Sequence, residues 1–343
     1  MNRTRIIGGV VIVALIGLAV ALPYIGATSY ILSLISTILI GGILASSLNF
    51  LVGDGGMASL GHGAIAAASA YGAGWASKAG HDMGTQILIA LVITLVVSFM
   101  YGVLSMRTSG IYFLMVTLAL GMVVYGLAFR LSSVTGGENG ISGIKRPEFL
   151  GEYWAFYYFL VASFIVTTLL LWVVSKSPFG ASMRGIRDSE SRMRSLGYSV
   201  PAYRLGAFMI SGTVAGFAGL LSVWLTHFVS PSSAGIHRSI LLIVMVILGG
   251  IGTVFGPIIG AAVVVLVENV LSNSVPRWPT VLGLIFILVI LFARAGIVGS
   301  AGKLIQRIKR RPTRNTEPPS PPDPPGDLVH PSGTPVSERN HTP

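Results

Sequence analysis

Few residues in this 343-residue chain could do chemistry. Gly299 to Lys303, GSAGK, has the outline of a phosphate-cradling loop. Leu304 stands where a serine or threonine would meet the metal, and Ile297 stands where the first glycine belongs, so no nucleotide site is expected. With no cysteine there is no thiolate ligand or cysteine nucleophile. His62, Arg130, His227 and Glu268 fall near the ends of apolar runs rather than in a row along one, which argues against a proton relay. His62 and Glu268 are kept as candidates. No catalytic set is expected.

The dense polar cluster is Ser175 to Arg204. Read as one helix from Phe179 to Leu196, it places Phe179, Met183, Ile186, Met193 and Leu196 on one face and Arg184, Asp188 and Arg192 on the other. Asp188 with Arg192 and Glu190 with Arg194 both put the acid first, the better order, and Gly197 followed by Pro201 ends the helix. Arg184, Arg187, Arg192 and Arg194 would each cost about 3 kcal/mol in hydrocarbon, so this helix lies outside a bilayer. Two readings stay open: a solvated loop, or a docking helix in which Arg184, Gly185, Arg187, Asp188, Glu190 and Gly197 meet a soluble partner. Two glycine-broken segments, one in each half, carry the other chemistry. Gly53, Gly56, Ser59, Gly61 and His62 mark the first; Gly249, Gly250, Gly252, Thr253, Gly256 and Pro257 mark the second. They serve either close helix packing or unwound backbone along a solute route.

The elements holding these groups belong to a membrane. The chain is 52% hydrophobic and 10% charged with a mean hydropathy of +0.78, too apolar for a soluble globule, where about 25% is charged. The net charge of +11 fits positive-inside loops better than nucleic acid, because the basic residues gather in the central cluster and after Phe292. The expected fold is all-α: a polytopic membrane domain over residues 1–295, with about eight to ten transmembrane or re-entrant helices and a cytoplasmic segment at 175–204. Residues 296–343 form a basic, then proline-rich, disordered cytoplasmic tail. Ile6 to Leu22 is read as a first span rather than a cleaved signal, with the amino terminus cytoplasmic. Spans follow over Tyr30–Val52, the small-residue segment 53–77, Gln86–Met106, Gly110–Leu131 and Tyr153–Ser175. Leu205–Phe228 crosses next. Ser239 to Leu271 would be about 50 Å long as one helix, against a core of about 30 Å, so it must fold back. A hairpin at GGIGTVFGP also keeps the carboxyl terminus on the basic side.

Several stretches in order resemble the LivM-type permease of ATP-driven branched-chain amino acid importers. They are SLNFLVGDGGMASLGHGA (Ser47 to Ala64), SGIYFLMVTLAL (Ser109 to Leu120), TGGENGISGI (Thr135 to Ile144), SPFGASMRGIRDSESRMRSLGYSV and ILGGIGTVFGPIIGA (Ile247 to Ala261). The resemblance implies a multi-pass permease of the bacterial inner membrane. It would pair with a LivH-like second permease, two cytoplasmic ATPases that carry the ATP and magnesium, and an extracytoplasmic binding protein. The helix around Arg184 to Leu196 would then dock on an ATPase. Asp54 departs from the family's usual aromatic or apolar residue, Ala181 from a common arginine, and Ile65 from a common phenylalanine. Related systems move urea, short amides or other small polar solutes, and an ion-coupled carrier is the further alternative.

Overall fold

The computed structural model describes residues 28–271, 277–292 and 296–300. The first expected span, Ile6 to Leu22, and most of the tail lie outside the described residues. The fold is a helical bundle. Among the described residues, five helices are long and apolar enough to cross a membrane. These are α1 (Ser29–Gly53), α3 (Met83–Ser105), α4 (Gly110–Arg130), α6 (Tyr153–Lys176) and α9 (Val200–Thr226), where α5 is the single turn Ser132–Thr135 and α7 (Pro178–Asp188) and α8 (Glu190–Ser195) lie between α6 and α9. Shorter helices accompany them: α2 (His62–Lys78), rich in small residues, and the apolar α10 (Ile236–Gly249), α11 (Gly256–Leu266) and α12 (Trp278–Phe292).

Burial separates the long helices into two kinds. In α9 67% and in α1 56% of the apolar window is buried, against 22–28% in α3, α4 and α6. The former are therefore the axis of the bundle, and the latter turn Leu, Val, Ile and Phe side chains such as Leu88, Ile111 and Val166 outward, as lipid-facing helices do. Small residues let α9 sit centrally. A methyl at Gly219 would collide with the Ala66 carbonyl of α2, and one at Gly212 or Gly216 with Ser98 or Thr94 of α3. In lipid, where apolar surface gains little by leaving the solvent, such close approach supplies the packing attraction.

The run from 239 to 271 folds back as expected. Helices α10 and α11 form a hairpin joined by residues 250–255, and a π-helical turn, Val267–Leu271, follows α11. Pro257 stands in the first turn of α11, where its missing N–H is no loss. The bundle thus has two ends. One carries α7, α8, the turn between α1 and α2, and the hairpin tip. At the other, Ile141–Ser142 (β1) pairs antiparallel with Phe228–Val229 (β2), an element too short to announce itself in the sequence. There Arg146 donates to the carbonyls of Trp224 and Leu225 and lies 4.2 Å from the Phe156 ring centre, closing the end of α9. Burial lowers the pKa of this guanidinium.

The polar cluster differs from expectation in one respect. It is two helices, not one, because Ser189 adopts an extended conformation (φ −161°, ψ 99°) between α7 and α8. The register therefore changes, and Asp188 pairs with Arg187 at 3.1 Å instead of reaching Arg192. Glu190 does pair with Arg194 (2.5 Å) and also with Arg204 of α9 (2.7 Å). Leu196, expected on the apolar face, is 66% exposed, past the end of α8. Gly197 takes φ 85°, and the amides of Gly197 and Tyr198 bond back to the carbonyls of Arg194 and Met193, a glycine-dependent helix stop.

Candidate functional site

Of the residues singled out in the sequence, Gly53, Gly56, Arg184, Arg187, Gly252 and Thr253 come together along one seam, made by α1, the turn after it, α7 and the α10–α11 hairpin. Ser177 caps α7 through its side chain and Pro178 starts it, so the helix leaves α6 sharply. Met183 and Ile186 are buried, and this fixes which way the arginines point. Arg184 reaches Asp54 at 2.6 Å and the Ser175 carbonyl at 2.7 Å. Arg187 donates to the Gly53 carbonyl, the last of α1, and its methylenes cover Gly56, which has φ 66°. Gly185 gives room for Met193 of α8. Arg184 and Arg187 thus fasten α7 to the end of α1, whereas Asp188, Ser191, Arg192, Arg194 and Leu196 face outward. The carboxylate of Asp54 is engaged by Arg184 and lies outside the cavity described below.

Gly53 also touches the hairpin. A methyl there would lie 2.7 Å from the Gly252 Cα, so the two glycine-broken segments meet backbone to backbone. Asn49, one turn earlier on α1, holds the tip: its Nδ2 donates to the Thr253 carbonyl (2.9 Å) and its Oδ1 accepts from the Gly252 amide (2.9 Å). The Thr253 hydroxyl donates to the Gly250 carbonyl (2.7 Å) and accepts from the Gly256 amide (3.0 Å). Gly249 packs against the Gly256 backbone and Pro257 is buried. The Gly250 and Thr253 carbonyls and the Gly252 and Gly256 amides are therefore satisfied inside the protein. Asn49 went unread, although a lone amide in an apolar run signals a buried polar contact.

The first segment continues into α2. Ser59 accepts from the Gly61 amide at 3.1 Å, Gly61 packs on the Tyr101 ring, and His62 is buried at the start of the helix. His62 Nε2 lies 2.7 Å from Ser211 Oγ, which donates to the Ser47 carbonyl at 2.6 Å, linking α2, α9 and α1.

Above this network lies a cavity of about 120 Å³ between α1, α2, α9 and α10. Its wall is mostly aliphatic, with Ile40, Leu44, Ala67, Leu241 and Met245, and its polar groups include Thr37, Ser222, Arg238 and Glu268. Glu268, kept as a candidate from the sequence, lines this cavity; Arg238 was not singled out. None of the glycine-segment residues named above lines the cavity, though Gly63 does, next to His62.

Over residues 30–294 the sequence matches the family described as branched-chain amino acid transport system / permease component. The chain belongs to this permease family. Among curated relatives, the high-affinity branched-chain amino acid transport system permease protein LivM of Escherichia coli strain K12 is 29% identical over 316 residues, covering 84% of this chain and 74% of that protein. LivM of Salmonella typhimurium is 28% identical over the same shares. The autoinducer 2 import system permease protein LsrC of Salmonella paratyphi B is 27% identical over 226 residues, covering 63% of this chain and 64% of that one. As a permease-family member with five long apolar helices, the chain is a multi-pass membrane subunit of an ABC transporter, and its relatives are permeases rather than enzymes.

Proposed function

We propose that this permease passes branched-chain or similar small aliphatic amino acids from an extracytoplasmic binding protein to the cytoplasm. It pairs with a LivH-like second permease, and ATP and magnesium act on two partner ATPases. The observation that carries the coupling is the fastening of α7: Arg184 on Asp54 and Arg187 on the Gly53 carbonyl join an outward-facing polar segment to the helix that touches the hairpin tip. A push on α7 therefore reaches the seam without crossing a flexible loop. The ATPase would meet Asp188, Ser191, Arg192 and exposed Leu196, while Arg184 and Arg187 transmit. Arg107, Lys176, Arg192, Arg194 and Arg204 crowd the same end, so positive-inside bias makes it cytoplasmic, with both termini on that side. The glycine segments would let the seam open, since tightly packed interfaces shift between discrete arrangements rather than deform continuously.

The experiment is reconstitution of the complex purified from its native membrane. The triple variant R184A/R187A/D188A should hydrolyse ATP yet import labelled leucine at less than a tenth of the wild-type rate; full import sinks the transmission. A label at Ser142 should react from outside and one at Ser189 from inside, and the reverse pattern refutes the orientation. Similarity to LsrC favours a second reading, a different small polar solute; urea and short amides belong to it. Competition of each against leucine uptake separates them. Uptake without ATP but with an ion gradient would identify a secondary carrier instead.

A further inference from the structure

The cavity contains two charges that the packing of the bundle does not require. Arg238 stands in the first turn of α10, and Glu268 stands in the π-helical turn that follows α11. Such turns widen a helix locally and recur at functional sites. Both side chains line the cavity. They face each other as a loose ion pair at 4.0 Å, beyond hydrogen-bond length, and among the described residues neither side chain makes a hydrogen bond. The pair is therefore an open clamp, one cation and one anion with unused donors and acceptors, at 46% and 31% side-chain exposure. Ile40, Leu44, Leu241, Leu242 and Met245 supply an apolar wall on the same cavity. The cavity has about 120 Å³ of room, well above the roughly 10–15 Å³ that one water needs on the same measure.

We propose that Arg238 and Glu268 form a binding site for the charged end of a zwitterion, with the carboxylate on Arg238, the ammonium on Glu268 and an aliphatic chain along the α1 and α10 wall. A neutral polar solute leaves this pair unused, and a simple anion or cation satisfies only one member. The site rests on the amino acid reading above and gives it residues. Binding is weak, because both charges are partly hydrated and gain only the difference between water and the ligand. Weak binding suits passage, since a tight site would hold the solute.

The geometry fixes a test with a sign. If the aliphatic chain stays in place and the two charged side chains are exchanged, the carboxylate and ammonium must exchange too, which converts an L-amino acid into its mirror image. The complex purified from its native membrane, without the binding protein, is titrated with L- and D-leucine by saturation-transfer NMR. R238Q and E268Q should each weaken L-leucine about three- to fivefold, and R238E/E268R should prefer D-leucine. Co-purification of partners with each variant verifies assembly. Unchanged L-leucine affinity in either single variant overturns the site, as does an exchanged variant that binds L-leucine like the wild type. Leucine import by the complete wild-type complex without leucine binding to the permease overturns the site alone. Absence of both import and binding overturns the amino acid reading with it.

Discussion

Two stretches of one seam, both built by α1 and the α10–α11 hairpin, differ in what fills them. At the α7 end, Gly53 lies on Gly252, Asn49 takes both polar groups of the turn, and nothing but backbone separates the elements. Toward the opposite end the same helices part around a cavity in which Arg238 and Glu268 stand 4.0 Å apart. The closed stretch hydrogen-bonds the polar groups of its turn within the protein, and the open one leaves its two charges in a loose 4.0 Å ion pair, with donors and acceptors free for something else. In a membrane, where unsatisfied polar groups are costly, that contrast distinguishes a seal from a binding surface. It also explains why the glycine motif and the cavity do not coincide. The glycines make the seal.

The comparison breaks most readily at Asn49. Asn49→Leu strands the Gly252 amide and the Thr253 carbonyl, at about 1–3 kcal/mol each, so thermal unfolding of the purified complex should shift strongly downward. Gly53→Ala comes next: the methyl must displace the Gly252 backbone, for about 1–3 kcal/mol of overpacking, and transport should be lost with it. Gly252→Ala should be milder and different in kind. Its added methyl would lie 3.9 Å from the nearest atom, so the cost is the positive φ of 74°, roughly 1–2 kcal/mol, read as a smaller shift in the same melt. Equal effects of the two alanines would mean that contact between the glycines is not what closes the seam. The smallest stability change is expected in the open stretch. Ser222→Phe fills the cavity and should move stability by no more than about 0.5 kcal/mol, yet cut leucine uptake at least tenfold. A large loss of stability there would mean the space is structural.

Much of the architecture was legible because bilayer thickness is a ruler. Apolar runs of twenty-odd residues became α1, α3, α4, α6 and α9, and a run too long for one crossing, punctuated by Gly250, Gly252 and Pro257, became a hairpin. The break at Ser189 was not legible. An ordinary residue leaves the helix there, and its reason lies in the burial of Met183 and Ile186 together with the ties of Glu190 to Arg194 and Arg204. Nor does spacing reveal that Arg184 meets Asp54, 130 positions away, or that Arg187 meets Gly53. Asp54 makes sense only once its partner is known. Arg238 escaped notice for a plainer reason: a basic residue at a span end is usually solvated, and only the cavity gives it a different meaning.

The bare contact at Gly53 and Gly252 has a mechanical consequence. Helices that interdigitate side chains resist shear, because each knob must leave one hole before it enters another. Here there is no knob. At that contact translation of α1 along the hairpin tip meets no rotamer barrier, and its restraints are the two Asn49 hydrogen bonds and the packing of Ala45 and Leu48 farther along α1. The joint is stiff against separation and compliant along its length, like a rail with a light catch.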